Sequence, residues 1–228
     1  MHLVLSGEGN SDIGKLSHSL EEFIPAPMYY LIDKIIEQQF KYSFYELTPE
    51  LITFIPKKRL LEESKKFKSF AGKKKGQSTA IFYKNARALA KIAQDKSKEL
   101  NDNDVIAILF RDSDGTVSSI NGMWEDKVKS IEYGFKFKDF NRGVAMVPKP
   151  KSEAWLICAL KDKSYENCQK LEDRSGNDDS PNSLKKELDS LGIDSTEINE
   201  MIQNGTINIE KIDMPSFKYF VDRLNRLL

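Results

Sequence analysis

The chain has 228 residues, with 35 Lys and Arg against 35 Asp and Glu, and 39% of it is hydrophobic. A formal net charge of zero excludes a wholly basic nucleic-acid coat and an acidic solvating tail, and the apolar share excludes an intrinsically disordered chain. The length allows one large domain, or one domain with a smaller lobe.

In chain order, His2 to Leu5 predicts a short buried strand that runs into the turn Ser6-Gly7-Glu8-Gly9. This start lacks the basic, apolar and small-residue regions of a signal peptide. The longest apolar runs, Val105 to Phe110 and Ala154 to Leu160, fall short of the roughly 18 residues of a membrane span. A cytoplasmic setting without a membrane partner is the expectation. Tyr29 to Gln39 has helical spacing, and a strand follows within either 42–47 or 51–55.

Residues 57–75 hold nine Lys and Arg against two Glu, with Phe67 and Phe70 interleaved, whereas residues 161–200 hold eleven acids against six bases. Such asymmetry can direct a polyanion to one face of a neutral molecule, or it can be a solvated surface. Residues 78–100 predict the longest helix, with Ser78 as its cap and Ile81, Ala88, Ile92 and Leu100 near one apolar stripe. The run Val105 to Phe110, apolar on both faces, suits the centre of a parallel sheet.

A helix from Met123 to about Gly134, a strand at Val144 to Val147, a Pro148-Lys149-Pro150 break and a helix from Ser152 complete an alternating order. The expected fold is α/β, a mainly parallel sheet flanked by helices over 1–168, with a small helical lobe over 169–228. In that lobe a polar loop at 172–182 precedes short helices at 183–191 and 195–203 and a final helix from Pro215. Cys158 and Cys168 make no disulfide framework in a chain of this length, so reduced, packed thiols are expected.

The acids that stand out each follow a predicted strand or its turn: Glu8 after the first, Asp12 shortly beyond, and Asp112 and Asp114 after the central one. Ligands of open α/β sheets collect at this carboxyl edge. Several carboxylates in one place call for a counter-charge, and oxygen ligands suit Mg²⁺ or Mn²⁺. With two histidines and two cysteines in the chain, zinc chemistry and His-based hydrolysis are not expected. Neither GxSxG nor a phosphate-binding GxxxxGK[ST] loop is present.

Strand-Glu8-Gly9 with Asp12, followed far downstream by strand-Asp112-Ser113-Asp114, resembles the Toprim domain of topoisomerases, bacterial primases and OLD-type nucleases. The segment VAMVPKPKSEAWLICAL at 144–160 resembles small stand-alone Toprim-like proteins of bacterial and phage-defence settings. The resemblance covers roughly residues 1–160. It implies a Mg²⁺-dependent nuclease in which Glu8 is a metal ligand or general acid/base and Asp112 and Asp114 hold the ion. Asp12 matches the acid that follows the glutamate in OLD-type nucleases, and Glu153, placed after a strand and turn, is a further candidate ligand.

Nucleic acid, DNA or RNA, is the implied partner, with a partner protein of a defence operon as a second. Lys73, Lys74 and Lys75, together with Lys149 and Lys151 near the sheet end, are the candidate phosphate contacts. Two other readings use the same residues. Asp112-Ser113-Asp114-Gly115-Thr116 fits the DxDGT motif of haloacid-dehalogenase-type phosphatases, although that motif normally opens its domain. A non-catalytic Toprim-like binding module would keep the acids for a structural ion.

Overall fold

The computed structural model describes residues 1–19, 22–68, 79–113 and 124–228. The chain opens with β1 (His2–Gly7), a small antiparallel hairpin of β2 (Gly14–Leu16) and β3 (Phe23–Pro25), and α1 (Pro27–Phe40). Then come the short α2 (Phe44–Leu47), β4 (Ile52–Ile55), α3 (Lys57–Ser64), α4 (Thr79–Leu100) and β5 (Val105–Phe110). α5 (Trp124–Lys136), β6 (Gly143–Met146) and α6 (Ser152–Leu160) complete the alternating part. α7 (Leu184–Ser190), α8 (Ser195–Gln203) and α9 (Pro215–Asn225) follow. Among the described residues no helix is long and apolar enough to cross a membrane.

β4, β1, β5 and β6 form, in that order, a four-stranded parallel sheet. Side chains alternate across it. Leu3, Leu5, Ile106, Ile108, Phe110, Val144 and Met146 enter one core with α1 and α6, while Val4, Val105, Ala107, Leu109, Ala145 and Val147 enter the other with α4 and α5. This is why β5 reads as a continuous apolar run. The chain leaves β1 towards β4 on one side and later returns past it to β5 on the other, so the order reverses at β1. In open α/β sheets the crevice at such a switch is where ligands bind.

The C-terminal segment is built onto α6 and the first core. Fully buried Trp155 donates its indole N–H to Ser216 Oγ at 2.8 Å, and its ring centroid lies 5.0 Å from that of Phe217 and 6.0 Å from that of Phe220. Ile198, Ile202, Phe217, Phe220 and Leu224 share one apolar cluster with β1 and β5. The lobe thus covers a sheet face that would otherwise be wet.

One open alternative is decided and two expectations are corrected, one of them in part. Of the two segments offered for the second strand, 52–55 is the strand, and 44–47 is a helix whose start is held by Asp33: the carboxylate accepts from Ser43 Oγ at 2.6 Å and from Phe44 and Tyr45 N–H at 2.8 and 3.0 Å. In α4 the buried face includes Phe82, Ala86, Leu89 and Ala93; of the expected stripe Ala88 is buried and Ile92 packs partly buried against the same core, whereas Ile81 and Leu100 are 49% and 40% exposed. Close packing against α5 selects small residues there; a Cβ at Gly134 would stand 2.5 Å from the Tyr83 carbonyl oxygen. The expected cap, Ser78, lies outside the described residues. Cys158 and Cys168 are bonded to each other, not reduced, because the turn after α6 brings their Cα atoms to 5.2 Å, within bridging range.

Candidate metal centre

β1 and β5 lie side by side with Gly7 opposite Phe110, so the residues after both strands leave the sheet together. Glu8 and Asp112 therefore share the carboxyl edge at the switch. The approach is close: a Cβ on Gly7 would stand 2.9 Å from the Phe110 ring. Gly9 then turns the chain at a φ of +80°, and the space its missing Cβ leaves is filled by the carboxylate of Asp12. Asp12 N–H donates to the Gly9 carbonyl at 3.2 Å, and its own carbonyl accepts from Met28 N–H at 2.8 Å, tying the turn to the start of α1.

Glu8 Oε2 lies 3.3 Å from Nη1 of Arg111 and 3.6 Å from Nζ of Lys57, the first residue of α3. Arg111 is itself buried, with its guanidinium carbon 5.4 Å from the Phe82 ring centroid. One residue on, Asp112 Oδ1 accepts a 2.9 Å hydrogen bond from the N–H of Ser152, the first residue of α6. An aspartate here answers the partial positive charge of the helix start.

Ser113 fastens the neighbouring turn, since its N–H donates to the Pro148 carbonyl at 3.2 Å and its Oγ to the Pro150 carbonyl at 3.1 Å. The Ser113 carbonyl in turn accepts from Nζ of fully buried Lys127. The Lys149–Pro150 peptide in this turn is cis. These bonds bring the start of α6, and with it Glu153, to the ends of β1 and β5.

The acids act on one another. Burial raises the Asp12 carboxyl from 3.8 to about 6, and the negative charges of Glu153 and Glu8 push the same way, against Lys151 and Lys185. Lys151 Nζ is 2.8 Å from Asp178 Oδ1. Lys149 is partly exposed in the turn after β6. Asp114 and Lys73, Lys74 and Lys75 lie outside the described residues.

Among the described residues no three acidic, His or Cys side chains already form a ligand set. Glu8 faces two cations, and Asp112 faces a helix start. The donors are nonetheless all carboxylate oxygens, which fit a hard cation such as Mg²⁺ or Mn²⁺. Softer ligands stand elsewhere: His2 Nε2 is 2.8 Å from Thr53 Oγ1, His18 is exposed, and both cysteines are bonded.

Two cations at this edge, Arg111 and Lys127, carried no expectation from the sequence, and Lys57 was expected only as part of the basic stretch 57–75, not as a partner of Glu8. For Arg111 the signal was its place, a charged residue directly between an apolar strand and Asp112. Comparison with family models, with curated proteins and with solved structures finds no match to this chain.

Proposed function

We propose that the chain is a Mg²⁺- or Mn²⁺-dependent nuclease of Toprim-like build, with Glu8, Asp12, Asp112, Asp114 and Glu153 as the carboxylates that hold the ion. The observation that carries this reading is that Glu8 and Asp112 follow adjacent strands at the carboxyl edge where the strand order reverses, with Asp12 near enough to Glu153 and Glu8 to be affected by their charge. When bound, such an ion activates water and neutralises charge on the leaving oxygen of a phosphodiester. Glu8, which directly follows β1 and lies beside Arg111 and Lys57, is the acid assigned to hold the ion or to accept a proton from water. Lys57, Arg111 and Lys151 offset the acids' negative field, so that a polyanion can approach.

The basic stretch 57–75 is assigned to the phosphate backbone. Changing Lys73, Lys74 and Lys75 together to Ala is expected to weaken nucleic-acid binding about equally across sequences. It should also reduce the slope of log K against log salt by roughly 2–3. Fluorescence anisotropy from low to high salt measures this, and an identical slope returns the segment to ordinary solvated surface.

A cytoplasmic setting belongs to the same reading, and so does a partner protein of a defence operon. The Cys158–Cys168 bridge stands against that compartment, where thiols are kept reduced. The deciding experiment is incubation of purified protein with DNA and RNA, with Mg²⁺ or Mn²⁺ and with EDTA. Metal-dependent cleavage supports the nuclease. Binding without turnover supports a non-catalytic module, and hydrolysis of phosphomonoesters alone, through a covalent aspartyl-phosphate at Asp112, supports the phosphatase.

A further inference from the structure

Glu8 has two cationic neighbours of different kinds. The Lys57 side chain is 54% exposed, and an ion pair of that sort is hydrated and weak. The Arg111 side chain is 10% exposed, lies beside the Phe82 ring, and its buried Nε has no hydrogen-bond partner among the described residues. A guanidinium has five N–H donors and remains charged, so burial beside one carboxylate leaves part of its fork unused. Its contact to Glu8, at 3.3 Å, is an ion pair longer than an ordinary N–H···O hydrogen bond.

Because Arg111 directly follows β5, its position is set by the sheet and not by a mobile loop. Glu8 Oε2 cannot give its charge fully to this guanidinium and also to a divalent cation. We propose that Arg111 is a charge placeholder: it occupies Glu8 in the metal-free protein, competes with the cation for that carboxylate, and offers its freed fork to a substrate phosphate once Glu8 turns to the ion. Arginine suits both halves, since its planar donors match carboxylate and phosphate alike. This rests on the metal-centre reading above.

The test is Mn²⁺ binding by calorimetry, with no substrate present, on wild type, Arg111→Gln, Glu8→Gln and the double variant. Arg111→Gln is expected to bind Mn²⁺ about tenfold more tightly than wild type, the scale of one charge-assisted contact. In the Glu8→Gln background the same change should have no effect, a coupling that a merely structural arginine would not produce. In Mn²⁺-loaded protein, inorganic phosphate should raise the Tm of wild type and not of Arg111→Gln.

Equal Mn²⁺ affinity in wild type and Arg111→Gln overturns the placeholder while leaving the metal centre standing. No Mn²⁺ binding by either overturns both. An equal phosphate effect in the two overturns the second half of the proposal. Should Arg111→Gln fail to fold, Arg111→Lys keeps the charge and loses the fork. It is expected to bind Mn²⁺ as wild type does and to keep only a weaker phosphate effect, since a lysine binds phosphate as a point charge; an effect as large as wild type's overturns the role of the fork.

Discussion

Glu8→Gln, Asp112→Asn and Asp114→Asn are each expected to lower Mg²⁺-dependent cleavage by about a hundredfold or more while the protein stays folded. The magnitude is that of removing one preorganised charge from a transition state that builds negative charge on phosphate oxygens. The choice of amide matters most at Asp112, whose Oδ1 holds the N–H of Ser152 at the start of α6. Asparagine retains a carbonyl oxygen for that bond and removes the charge. Alanine would remove both, and leaving the Ser152 N–H without its acceptor would cost about 1–3 kcal/mol of stability, confusing the two roles. Glutamine at position 8 likewise keeps an acceptor facing buried Arg111. Initial cleavage rates beside circular-dichroism melts check the prediction, and unchanged metal-dependent cleavage by all three variants sinks the site assignment.

β1, β5 and β6 were legible because each satisfies local pattern and long-range burial at once, whereas β4 was one of two open choices and the short β2–β3 hairpin was not foreseen. Val105 to Phe110 is apolar at every position, and the two faces of the sheet demand that. The placing of Glu8 and Asp112 was legible for a related reason, because a carboxylate just beyond an apolar strand has few places to go except the sheet edge. The adjacency of β1 and β5 was not written locally, since strand order is decided by which crossover packs on which face. Glu8 could therefore be only a conditional neighbour of Asp112 until the sheet was assembled.

The misses have physical causes of their own. In α4, hydrophobicity pointed to Ile81, but the buried face runs through Phe82, Ala86, Leu89 and Ala93 and leaves Ile81 out of phase with it, and only where Gly134 approaches Tyr83 and Ala86 is a small residue required. Asp33 was passed over because its partners, Ser43, Phe44 and Tyr45, are reached only when the chain turns back after α1. Arg111 was masked by its neighbours, a run that read as strand and a motif that read as metal ligands. The same sequence signal, an acid after a strand, thus covered two kinds of group: Asp112 already serves a helix start, and Asp12 is held beside other acids.

Asp12→Asn is expected to stabilise the metal-free protein at neutral pH and to diminish its stabilisation by Mn²⁺. The folded chain raises the Asp12 carboxyl from 3.8 to about 6, first by burial and then by the charges of Glu153 and Glu8. Between those values the folded state binds more protons than the unfolded one, so stability falls as pH rises through this interval and stays low above it. The full gap corresponds to at most ~3 kcal/mol, and partial contact of Asp12 with solvent cuts this to ~1–2 kcal/mol.

An asparagine carries no such cost. The variant should therefore be more stable than wild type by that amount at about pH 7.5 and nearly equal to it at about pH 4. Mn²⁺ inverts the comparison, because an ion bound only by the folded state adds stability in proportion to its affinity, and Asp12 would contribute one of its oxygen donors. Urea titrations at both pH values, with and without Mn²⁺, separate the two effects. A variant less stable than wild type at neutral pH without metal would refute the repulsion among Asp12, Glu8 and Glu153, and an equal gain from Mn²⁺ in both proteins would remove Asp12 from the ligand set.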